Sequence, residues 1–117
     1  MRGDGYAAAS RNFLAKAEEE LQKEDLFQAS EKLWGAAAQM VKTVVETRGW
    51  RHDSHRALVQ VVNRLAQETN DPDLRNAFLA AQGLHFNFYE DVHPREFVQG
   101  AVGLIREFVA KLERLQA

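Results

Sequence analysis

Two short stretches gather most of the side chains able to do chemistry. The first, LHFNFYED from Leu84 to Asp91, sets His85, Asn87, Tyr89, Glu90 and Asp91 among the rings of Phe86 and Phe88. Histidine is the side chain best suited to proton transfer near neutral pH, and a tyrosine or carboxylate can serve beside it. Polar groups among aromatic rings also suit a pocket for a planar ligand. The structural alternative has His85 and Asn87 satisfying helix ends while Phe86, Phe88 and Tyr89 pack, since buried polar groups need partners. The second stretch collects Arg48, Arg51 and Arg56 with Trp50, His52, Asp53 and His55. Cations beside a helix N-terminus, whose free N–H groups favour anions, suit a phosphate or nucleotide site. A solvated loop whose arginines cap the preceding helix is the plainer reading.

A third candidate is Glu31 with Lys32, beside Trp34. Glu31 shares a helix face with Gly35 and Ala38, which leaves it open to a partner from another helix. It is either an exposed charge or a buried carboxylate paired with an Arg or His of the other two stretches. Other chemistries lack their residues. His52 and His55 have no third ligand nearby, and zinc needs three or four, so no metal is expected. Asp53, Ser54 and His55 are adjacent, but no strand-turn-helix elbow frames the serine as a nucleophile. There is no phosphate-loop glycine pattern, and no cofactor is expected.

Composition narrows the class. The 117 residues suit a single domain spanning 1–117, large enough to bury a core without disulfides or metal. The absence of Cys removes thiolate chemistry altogether. A formal net charge of -2 argues against a general nucleic-acid or membrane-surface binder while leaving room for a local basic patch. No window approaches the roughly 20 apolar residues of a membrane span, and the N-terminus lacks a signal-peptide core. A cytoplasmic protein without membrane contact is the expectation.

Helices must position these groups. Asp25 to Thr47 reads as one long rod with two apolar stripes: Leu26, Leu33, Ala37, Met40, Val41 and Val44, then Phe27, Trp34, Ala38 and Val45. Two stripes require neighbours on both sides. Its Gly35 costs about 1 kcal/mol of helix propensity, which close approach of another helix would offset. A first helix spans Tyr6 to Lys23 and pairs antiparallel with the rod through a short link capped by Asp25. Arg48 and Gly49 end the rod. Asp53 or Ser54 starts a third helix reaching Gln67, and Asp71, Pro72 and Asp73 start a fourth burying Leu74, Phe78, Ala81, His85 and Phe88. After a break at Glu90 to His93, Pro94 opens a fifth helix. Its stripe is Phe97, Ala101, Leu104, Phe108, Leu112 and Leu115, widened by Val98, Val102, Ile105 and Val109. The expected fold is all-α, an up-and-down bundle of about five helices. One tetratricopeptide-like spacing between Ala15 and Ala36 does not recur, so a repeat solenoid is not expected.

The segments SEKLWGA at Ser30 to Ala36, Arg48–Gly49–Trp50 closing the rod, Ser54–His55 opening the third helix, and LHFNFYE at Leu84 to Glu90 resemble the PaREP family of small archaeal helical proteins. The resemblance runs from about Tyr6 to Leu112. That family is similar to the HEPN class of helical bundles, which implies a HEPN-like fold, a homodimer, and either RNase activity or partnership with a nucleotidyltransferase. HEPN RNases carry an Arg, four to six residues and then a His, and two copies make a composite metal-independent site. The equivalent His is His85, yet Phe78, Leu79 and Ala80 stand where the Arg belongs; Arg48 and His55 satisfy the spacing one hairpin earlier. This departure favours binding over cleavage. The resemblance and the residues together imply a homodimeric binding or interaction module for a nucleotide, an RNA or a nucleotidyltransferase-type partner. Its ligand-binding set is Glu31, Trp34, Arg48, Arg51, His55, His85, Asn87, Tyr89 and Glu90. The alternative is a metal-independent RNase with His85 or His55 as acid–base and Arg48 or Arg51 steadying the phosphate.

Overall fold

The long rod expected from the two stripes is α2 (Leu26–Arg48), and every other helix packs on it. A computed structural model describes the backbone of residues 2–50, 53–90 and 94–115, and the side chains of 5–50, 53–86 and 94–115. Asp25 caps α2, its Oδ1 accepting the Gln28 N–H at 3.1 Å. Gly49, at φ 70, ends it: its N–H reaches Glu46 O and the Trp50 N–H reaches Val45 O at 2.9 Å. That left-handed turn is the conformation glycine adopts without steric cost. Leu33, Ala36, Ala37, Met40, Val41, Val44 and Val45 are wholly buried. Phe27, assigned to the second stripe, is 41% exposed, so two-sided burial begins about two turns into the rod.

α1 (Arg2–Gln22) folds back on α2 through a link in which Glu24 takes a left-handed φ of 63. The waist of small residues is where the two helices meet. A Cβ on Gly35 would lie 3.2 Å from the Phe13 ring. One residue on, buried Ser10 donates its hydroxyl to Ala36 O at 2.6 Å. The close approach inferred from Gly35 is therefore real, and α1 supplies it.

α3 (His55–Thr69) is capped by Ser54, whose Oγ accepts the Ala57 N–H at 3.0 Å, and closes at Asn70 with φ 54. α4 (Asp73–Glu90) follows a turn in which Asp71 Oδ1 accepts the Asp73 N–H. Pro94 precedes α5 (Arg95–Arg114). The result is an all-α bundle of five helices, with no strand among the described residues. α1 and α5 flank one side of α2, while α3 and α4 pack together beside it.

The stripe of α5 is rotated from the expected one. Phe97 and Leu104 are 65% and 41% exposed, whereas Val98, Ala101, Val102, Ile105, Phe108, Val109 and Leu112 form the buried face. A one-residue step turns a helix by about 100°. Centring the face on Ile105 thus pushes Leu104, and Phe97 one heptad earlier, to its margin. Among the described residues no helix is long and apolar enough to cross a membrane.

Candidate functional site

α2 carries Glu31 and Trp34 one turn apart, and α3 and α4 each bring a histidine to them. The His55 ring stacks on Trp34 at a centroid distance of 5.2 Å and an interplanar angle of 19°. His85 stacks on the same indole at 5.2 Å and 30°. Its Nδ1 donates to Glu31 Oε2 at 2.9 Å, with both side chains about one-third exposed. Glu31 is thus the paired carboxylate rather than the solvated charge, and it fixes the orientation of the imidazole. Trp34 is backed by Phe78 at 5.6 Å, and Phe78 by Phe108 at 6.0 Å; both phenylalanines are fully buried. A ladder of rings therefore runs from the hydrophobic core out to the two histidines.

Beside this cluster lies an open groove of about 540 Å³, floored by α2 and walled by α1 and the start of α3. Glu31, Lys32, Trp34, Lys42, Asp53, Ser54 and His55 line it, with Phe13 and Gln39. The amines of Lys32 and Lys42 lie over the rings of Phe13 and Tyr6, each at 6.0 Å. Neither lysine is in an ion pair with a described residue. Two ammonium groups in no ion pair with a described residue, beside an exposed imidazole stacked on an indole, can hold an anion attached to a planar ring.

The other residues singled out from the sequence are placed differently. Arg48 does not reach this cluster: its guanidinium lies 2.7 and 2.9 Å from the Glu68 carboxylate oxygens and 5.0 Å from the centre of the Trp50 ring. It ties the end of α2 to α3. Arg51, His52 and the side chains of Asn87, Phe88, Tyr89 and Glu90 lie outside the described residues, as does Asp91. Phe86 is 55% exposed rather than packed. Among the described residues no three of His, Asp and Glu gather closely enough to hold a metal ion.

Sequence reasoning passed over Lys42, Gln39 and Phe13. The signal for Lys42 was present: Glu31, Gly35, Ala38 and Lys42 follow the i, i+4, i+7, i+11 spacing of one helical face. The spacing of Tyr6, Ser10, Phe13, Ala17 and Leu21 puts Phe13 on the inner face of the first helix, but no spacing shows that its ring meets Gly35.

Comparison with known proteins agrees with the architecture. No curated protein matches the chain. The fold is similar to a crystal structure of a Sulfolobus solfataricus protein, with a TM-score of 0.81 and 23% identity over 93% of this chain and 97% of that one. The model of the archaeal PaREP1/PaREP8 family matches residues 6–109, so the chain belongs to that family.

Proposed function

We propose that this protein is a small HEPN-like, cytoplasmic binding module whose α2 groove holds a nucleotide or RNA. The observation that carries the reading is the meeting of His55 and His85 on Trp34, with Glu31 holding His85, beside a groove whose two lysines are in no ion pair with a described residue. His55 extends the ring ladder outward as a platform for a base, while Lys32 and Lys42 meet phosphate. Calorimetric titration with nucleoside monophosphates and short single-stranded RNAs tests this. Saturable heat that falls at least tenfold in affinity in Lys32→Ala/Lys42→Ala protein is expected; no heat with any of them would end the reading.

A second reading has its own observation. Two histidines on one indole, one of them held by a carboxylate, are the components of general acid–base cleavage of RNA without metal. Labelled RNA decides it: cleavage lost in His55→Ala and in His85→Ala supports the enzyme, and intact RNA leaves the binding module. A homodimer belongs to the same proposal, as does a nucleotidyltransferase-type partner. In support of the dimer, Leu79, Phe86, Phe97 and Leu104 leave large apolar side chains exposed on α4 and α5. A strictly monomeric sedimentation profile would remove the dimer.

A further inference from the structure

We infer that the α2 groove is one half of a longer track and that its ligand is a single-stranded oligonucleotide several residues long, bound at a second subsite formed by Trp50, Arg56 and Arg64. The inference rests on the nucleotide reading above and decides which member of that ligand class the protein takes.

A second groove, of about 470 Å³, lies on the other side of the start of α3 and is lined by Trp50, Arg56, Gln60 and Arg64. Asp53 and Ser54 line both grooves, so the two abut at that point. Each has the size of a small-ligand site. The second repeats the chemistry of the first with different residues. Arg64 lies over Trp50 with its guanidinium carbon 4.0 Å from the ring centroid. A guanidinium plane on an indole is itself a surface on which a base can stack. Arg56 is in no ion pair with a described residue, so its charge is open to phosphate.

Along the joined track, Lys32, Lys42, Arg56 and Arg64 stand with the carboxylates of Glu31 and Asp53; Glu31 is engaged by His85, and Arg64 also lies 3.8 Å from the Glu68 carboxylate. The balance is cationic although the whole chain is not. Aromatic platforms alternating with cations are what a single strand requires, since each nucleotide brings one ring and one charge. A mononucleotide would fill one groove and leave the other, built alike, without a use.

Length dependence tests the inference on the full chain. AMP and RNA oligomers of two, four, six and eight nucleotides are titrated by calorimetry, with a DNA hexamer alongside. Affinity at least tenfold tighter for the RNA hexamer than for AMP is expected. Arg56→Glu should weaken hexamer binding at least tenfold while changing AMP binding less than twofold, with Arg56→Gln between. Equal hexamer affinity for DNA supports a track that reads rings and phosphates without the 2′-hydroxyl. AMP binding with no gain in affinity from added length overturns the inference and spares the nucleotide reading. So does hexamer binding that Arg56→Glu leaves unchanged. No binding by any ligand overturns both.

Discussion

Trp34 is held from behind by Phe78 and flanked by His55 and His85, so its position is set by the core rather than by a loop. The chemistry of the site follows from that anchoring, because a ring that cannot tilt keeps both imidazoles in place. The Glu31 contact to His85 could be guessed from the sequence only as one of two options, since its partner lies 54 residues away. Lys42 was legible as the last member of a helical face, while the value of Arg64 depended on a tertiary stack with Trp50 that no spacing reveals. At this scale the lysines give a clean expectation. Phosphate contacts release counterions, so removing one cation lowers the salt slope of binding by about one unit. Lys42→Ala protein titrated with an RNA hexamer across a salt series should show this reduction; an unchanged slope places Lys42 outside the contact.

At the scale of elements, caps and close approaches decide the geometry. Asp25 and Gly49 could be read directly because each cap is a local signature, while Ser54 was one of two candidates with Asp53. The rotation of α5 could not be, since its two apolar sets overlap and only the positions of α2 and α4 choose between them. The left-handed φ of Gly49 makes Gly49→Ala costly by about 1 kcal/mol; a urea midpoint equal to that of the parent would contradict the cap. Gly35 is the sharper case. With the Phe13 ring 3.2 Å from where a Cβ would sit, Gly35→Val must push α1 outward and should cost roughly 1–3 kcal/mol by overpacking. Adding Phe13→Ala should recover part of that loss, and simple additivity of the two changes would show that the residues do not meet.

At the scale of the whole molecule, α2 touches every other helix, and charged bridges along α5 tie it to the rest of the bundle. Arg11 with Glu113 and Arg106 with Glu18 join α5 to α1, and Arg95 with Glu24 joins it to the link after α1; at the surface such pairs contribute little individually. Lys111 and Asp71 are the pair with a visible consequence. The hydrogen bond from Lys111, 2.9 Å away, holds the Asp71 carboxyl below its usual range, and the same bond raises the Lys111 amine. A lowered carboxyl stabilises the fold above about pH 4 and loses that contribution as pH falls further. A raised amine stabilises it below about pH 10.5 and loses it as pH rises beyond. Asp71→Asn should therefore flatten the acid limb of a thermal-unfolding profile taken between about pH 2 and about pH 5; an acid limb as steep as the parent's would exclude Asp71 as its source.

Whether the groove beside Trp34 receives a nucleotide is something the indole itself reports. Trp50→Phe protein leaves Trp34 as the only tryptophan, since the chain has two. Titrating it with AMP, which does not need the Trp50 subsite, should change the Trp34 fluorescence saturably, and Lys32→Ala/Lys42→Ala in the same background should shift that curve to at least tenfold higher AMP. A flat signal up to millimolar AMP, with the fold intact by circular dichroism, would contradict the assignment of this groove.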